Sequence, residues 1–280
     1  MENVIIIIGL LALGIVLAIL LLKAGFSMPA RAVQPEGIAD EKPAVDRVPL
    51  PEDLPEVVLR FYRAVYGQDQ IPTPATVAAF GVGKFRVRKM PFIGYLWAPL
   101  NWHMYLRPGQ EFSWKMKMSW FRYPVVSGGD GYLDGKGMFK MSKQSLDGEY
   151  MDHSEQVMLW IHTLVFSPGS LLAEPSAAWQ VKEDGRVRLT LDQSGRSLWF
   201  DLTFDADSGL LARIDTERPG SRTGNLYPYS YTLQEQASFN EELSLPDHLL
   251  AGWEDDVYNH FVLEGLQYNA PVEDLLARGL

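Results

Sequence analysis

Between Asn3 and Lys23 the chain carries nineteen consecutive uncharged residues, Val4 to Leu22, including Ile5 to Ile8 and Leu17 to Leu22. As a helix rising about 1.5 Å per residue, this run spans roughly 28 Å, close to the hydrocarbon thickness of a bilayer. Leaving a charge in that slab costs several kcal/mol, so the absence of charge is informative. A buried soluble helix and a cleaved signal peptide are the competing readings. Against the second, the run is longer than a signal core, no basic residue precedes it, and the small-residue triplet Ala30-Arg31-Ala32 lies far downstream. The expectation is an uncleaved single-pass anchor over residues 1–23, placing the protein at a cell membrane. Lys23 and Arg31 follow the run while only Glu2 and the amino terminus precede it, a charge bias that favours a cytoplasmic domain.

Residues 24–50 read as a tether. Pro29, Pro35, Pro43 and Pro49 recur among mixed charges, a composition that favours extended chain. A single β-rich globular domain is expected over 51–280. Leu54-Pro55 opens a helix with Val57, Val58, Leu59, Phe61, Tyr62, Val65 and Tyr66 before Gly67, with Pro at the first turn and Gly at the end. The period then changes to two. Phe112, Trp114, Met116, Met118 and Trp120 alternate with Ser113, Lys115, Lys117 and Ser119. Similar alternation runs over 186–191 and 198–204. The stretch Asp205-Ala206-Asp207-Ser208-Gly209 has the composition of a hairpin turn. Val257 to Tyr268 reads as a closing strand. One helix interrupts the strands: Ser154 is placed to cap it, Glu155 follows, and Val157, Met158, Trp160, Ile161, Leu164 and Val165 lead to Pro168. The fold class is α+β and mostly β: a curved, half-barrel-like antiparallel sheet with a few packed helices, preceded by one transmembrane helix.

Charge and apolar side chains are unevenly placed. From Gly81 to Lys143 there are eleven Lys or Arg against three acids, whereas Thr223 to Ala277 holds ten acids and no Lys or Arg. Lys84, Arg86 and Arg88 share one face of any strand there. They either face anionic headgroups or pair with the acidic later strands. Seven of the ten methionines fall between Met104 and Met158, interleaved with Trp97, Trp102, Trp114, Trp120 and Trp160. Methionine adapts to irregular apolar surfaces, so Trp114, Met116, Met118, Trp120, Met138 and Trp160 are the candidate lining of an apolar or lipid site; ordinary core packing is the alternative.

The overall charge of −10 argues against a nucleic-acid partner, and zero cysteines exclude thiolate metal sites and a Cys nucleophile. The five histidines are dispersed without an HExxH pair, and Asp152-His153 reads as a capping element. Gly81 and Gly83 lack the rest of a dinucleotide fingerprint, and Ser170 sits in no GxSxG elbow. Asp205, Asp207 and Gly209 form only half a calcium loop, and Gly128 to Asp134 holds one displaced copy of a β-roll repeat. No cofactor or metal is expected. A binding role is favoured over an enzyme, with a dispersed-site hydrolase or transferase still open. The partners expected are the bilayer, an apolar small molecule or lipid, and, as the alternative, another membrane protein packed against the acidic C-terminal third.

Leu54-Pro55, Phe112-Ser113-Trp114, Asp134-Gly135-Lys136-Gly137, Glu155, Pro168, Trp179 and Phe204-Asp205 resemble the pattern of a bacterial family of membrane-associated proteins known only as a domain of unknown function. The resemblance covers about residues 52–268. Where that family carries a Tyr-Trp-like pair in its final strand, this chain has Tyr258-Asn259-His260. The layout is also similar to the half-barrel of LolA-type lipoprotein carriers, in which a curved sheet folds around helices and holds acyl chains. That likeness leans away from a cytoplasmic domain, so the membrane face stays open.

Overall fold

The alternating stretch around Trp114 is a strand in which Phe112, Trp114, Met116 and Met118 are buried while Lys117 is exposed. Its neighbours repeat the pattern, and the result is one 13-stranded antiparallel sheet. The computed structural model describes residues 2–36, 38, 43–90, 94–220, 223–235, 237–238 and 243–277. In chain order the elements are α1 (Glu2–Ser27), β1 (Arg47–Pro49), α2 (Glu56–Tyr66), β2 (Gln70–Pro72), β3 (Val77–Met90), β4 (Gly94–Arg107), β5 (Glu111–Trp120), β6 (Tyr123–Leu133), β7 (Lys136–Met141), β8 (Gln144–Leu146) and α3 (Glu149–Phe166). After a short 3-10 turn at Pro168–Ala173 come β9 (Ala178–Val181), β10 (Val187–Gln193), β11 (Arg196–Phe204), β12 (Leu211–Pro219), β13 (Leu226–Gln234), β14 (Ala237–Ser238), β15 (Ser244–Leu245), β16 (His248–Trp253), β17 (Asp256–Tyr268) and α4 (Glu273–Ala277).

The main sheet has the order β8-β7-β6-β5-β4-β3-β17-β16-β13-β12-β11-β10-β9, and it curves around α3. Every residue of α3 from Ser154 to Phe166 is buried, so this helix fills the trough. The helix α2 closes one side. Its Tyr62 hydroxyl donates to the Pro168 carbonyl (3.1 Å), and its Tyr66 hydroxyl accepts from the Gly169 amide (2.9 Å). Pro55 precedes its first residue and Gly67, at φ 66°, ends it, as the sequence signals predict. The outer face of the sheet carries a smaller apolar cluster of Ala78, Tyr105, Leu133, Val272, Leu275 and Leu276 under the C-terminal helix.

Two-residue hairpins link several strands. Asp134-Gly135 joins β6 to β7 with both residues at positive φ, the geometry an Asp-Gly pair favours. Phe121-Arg122 joins β5 to β6 in the same way, at φ 49° and 66°, where bulky side chains are strained.

The predicted start of α3 is corrected. The helix begins at Glu149 after Gly148, so Ser154 is an interior residue and not a cap. Its hydroxyl is instead taken by Arg218, from the other side of the trough (2.8 Å).

The segment Ile5–Ser27 is long and apolar enough to cross a membrane, a property shared by anchors and signal sequences. Its helix continues past Lys23 to Ser27. Its last turn meets the sheet, where the Phe121 amide donates to the Gly25 carbonyl (2.9 Å). Gly25 itself lies against the Trp120 indole, leaving no room for a side chain. Beyond it the chain follows the outer face, with the Asn101 side chain donating to the Arg31 carbonyl (3.4 Å) and Pro35 buried.

Candidate functional site

The trough is largely apolar, with buried polar side chains on α3 at Ser154, Glu155, Gln156, His162 and Thr163. Arg218 on β12 points inward and donates through Nη2 to Glu155 Oε1 (2.9 Å) and through Nε to Ser154 Oγ (2.8 Å), both on α3. Both ionic side chains are buried, at 8% and 0% exposure. Across the helix, Asp130 on β6 belongs to the same cluster, since β6 pairs it with Trp114, whose side chain lies on the inner face. Desolvation and the neighbouring Glu155 charge hold the Asp130 carboxyl well above the usual carboxylate range. Burial also raises Glu155, while the Arg218 guanidinium works against that shift. Burial opposes the charge on Arg218, but Glu155, Tyr229 and Tyr258 outweigh it, and its pKa rises. The arrangement places one guanidinium beside two carboxyl groups whose proton affinity is raised by burial. Glu155 Oε2 has no hydrogen-bond partner among the described residues.

Aromatic rings enclose the cation. The Arg218 guanidinium lies 5.1 Å from the Tyr229 ring centroid and 5.5 Å from that of Trp253. Tyr258 joins them through a bulge. Pairing between β16 and β17 steps from Ala251–Asn259 to Gly252–Val257, making Tyr258 the extra residue. Its hydroxyl then reaches the Tyr229 hydroxyl at 3.1 Å. Burial raises the pKa of both phenols, so each stays a neutral donor and acceptor.

Around this cluster the inner face is rimmed by partly buried apolar side chains: Phe85 on β3, Val126 on β6, Met141 on β7, Trp253 and Tyr258. Phe26, from the last turn of α1, is a further member of the rim. Helix α1 therefore joins the domain at the same end of the sheet as this rim.

The structure separates the six candidate apolar residues. Trp114, Met116 and Met118 lie together on the inner face beside the cluster, at 9%, 2% and 3% exposure. Trp160 faces the opposite end, donates to Gln193 Oε1 (2.7 Å) and lines a depression of about 310 Å3 with Pro108, Gly109 and Gln110. Trp120 packs on the end of α1. Met138 points to the outer face, against the cluster under α4.

Of the three basic candidates, Lys84 is exposed, its ammonium 5.5 Å from the Trp97 ring centroid. Arg86 pairs with Asp256 and stacks 4.2 Å from the Tyr95 centroid. Arg88 belongs to β3, but its side chain lies outside the described residues.

Glu235, Asp247 and His248 bring possible metal-ligand atoms within 4.8 Å of one another at the surface. His248 Nδ1 already bonds Asp247 (3.0 Å), so this group reads as a surface ion cluster. The Asp130–Glu155–Arg218 cluster was missed by sequence reasoning, which used Glu155 only as a helix-start residue. Arg218 stands between Glu217 and Pro219, so no local pattern marks it as inward-facing.

The sequence matches the family of unknown function (DUF6544) over residues 44–263. No curated protein matches it. In three dimensions, 79% of this chain aligns with 92% of a crystallised Vibrio parahaemolyticus protein described as a candidate outer membrane lipoprotein-sorting protein domain, with 8% identity and a TM-score of 0.39.

Proposed function

The chain belongs to the DUF6544 family, and we propose that it is a membrane-tethered binding domain that takes a lipid or lipid-like ligand at the rimmed end of its inner face. One observation carries this reading: the end of α1 and the apolar rim around Arg218 lie at the same end of the sheet, linked by Phe26 and by the Gly25–Phe121 bond. On this account α1 stays attached and spans the bilayer, so ligand leaving that membrane meets the rim first.

The chemistry suits an amphipathic ligand. Each methylene moved from water onto an apolar surface gains about 0.8 kcal/mol, so an acyl chain has reason to lie along Phe85, Val126 and Tyr258. Met116 and Met118 form the floor beneath, and unbranched thioether side chains can repack to admit it. Arg218 and the Tyr229 and Tyr258 hydroxyls supply donors for a polar head or ester carbonyl. Lys84, exposed beside Trp97, adds positive charge where anionic headgroups would lie.

The test is extraction of the full chain in mild detergent followed by mass spectrometry of co-purified small molecules. A lipid retained by the wild type and lost from Phe85→Glu or Val126→Glu, with unchanged circular dichroism, supports the reading. A wild-type chain that carries no lipid, or variants that retain it equally, contradicts it.

A further inference from the structure

The two hairpins beside the anchor project apolar side chains into solvent. Pairing between β4 and β5 reaches Leu100–Met118, and the β5–β6 turn lies three residues further on, at Phe121. The β3–β4 ladder continues to Met90–Gly94, six residues beyond Leu100. At about 3.3 Å per residue the β3–β4 arm therefore outreaches the β5–β6 turn by roughly 10 Å. Helix α1 packs against both of these strands, β4 and β5, through its C-terminal turns.

The projecting parts have the composition of a membrane interface. Val87 is 49% exposed, Tyr95 45%, Tyr123 75% and Val125 52%. Outside α1 and the chain directly after it, these are four of the six large apolar side chains with such exposure among the described residues. Val87 is the extra residue where the register shifts between Arg86 and Arg88, so the irregularity turns an aliphatic side chain outward. Basic residues flank them: Lys84, Arg86, Arg88 and Lys89 on the arm, and Arg122 in the strained turn. Apolar and aromatic side chains interleaved in sequence with Lys and Arg near the ends of both arms match the mixed chemistry of the headgroup layer. A strained turn carrying Phe and Arg is also where function is expected to hold a conformation against its own preference.

We infer that the end of the β3–β4 arm, at Val87 and Tyr95, and the β5–β6 hairpin, at Tyr123 and Val125, dip into the interface of the bilayer spanned by α1, so that the domain is seated on the membrane at three points. The occupant is that lipid surface and not a second protein, because the tips are continuous with the lipid-facing helix through Gly25 and Phe121. The inference rests on α1 spanning the bilayer, and is independent of any ligand at the inner face.

The chain contains no cysteine, so single-site spin labels need no background removal. The full chain is placed in nanodiscs of mixed zwitterionic and anionic lipid, with labels at Val87→Cys, Tyr123→Cys or Val125→Cys. Val181→Cys, exposed on the opposite sheet edge, is the control. Collision with oxygen, which concentrates in lipid, is expected to exceed collision with a water-soluble nickel chelate at 87, 123 and 125, and to fall below it at 181. Equal, water-like accessibility at all four sites, in protein whose intact mass still includes α1, overturns the inference while leaving the tether intact. A chain found without α1 overturns the inference together with the reading beneath it.

Discussion

Arg218 and Glu155 meet at 2.9 Å inside a largely apolar trough, joining β12 to the helix the sheet wraps. Removing one partner of a buried ion pair leaves an uncompensated charge, typically at a cost of about 3–5 kcal/mol, whereas replacing both by apolar groups of similar size is often neutral. Arg218→Met and Glu155→Met should each lower the denaturant midpoint strongly, and the double variant should recover most of the loss. Equilibrium unfolding in detergent measures it. Additive losses would mean that the pair is not a coupled unit.

Asp130 predicts a pH dependence of opposite sign to that of most surface carboxylates. Its folded pKa lies well above that of the unfolded chain, so the folded state holds a proton the unfolded state releases above about pH 3.9. Stability from this group is complete below that pH and is lost as pH rises through the folded pKa. The stability of Asp130→Asn relative to wild type should therefore grow as pH increases. A difference that is flat across the same range would show that Asp130 is ionised in the fold.

The anchor joint depends on a residue with no side chain. A Cβ at Gly25 meets the Trp120 ring, so Gly25→Val should separate α1 from β5 without affecting membrane insertion. The backbone bond to Phe121 and the strained turn it supports should loosen together. Limited proteolysis of membrane-bound protein is expected to cut faster between residues 27 and 36 in the variant. An unchanged digestion pattern would count against a built-in joint.

Much of the fold was legible because its signals are local. The alternation around Trp114 requires a half-buried strand, Asp205 to Gly209 has turn composition and links β11 to β12, and Pro55 with Gly67 bounds α2. The candidate site was not legible, for physical reasons that can be named. Asp130, Glu155 and Arg218 come from different elements, with Arg218 63 residues from Glu155, and only the closure of the sheet around α3 brings them together. Ser154 looked like a cap because a cap is a local hydroxyl, but its partner is Arg218. Counting Met and Trp could not divide them among faces. Strand register does so, sending Met116 inward while Met138, opposite Gly131, goes outward. The bulge that presents Tyr258 leaves no mark in the sequence pattern.

Where the chain resides, and whether its first helix remains, decides between a tethered and a released domain. Membranes from cells producing the untagged chain are washed with alkaline carbonate, and the intact mass of the protein is measured in pellet and supernatant. The expected result is protein in the pellet whose mass includes residues 4–22. Protein released to the supernatant with that segment removed would contradict membrane tethering, and with it the ligand and seating proposals.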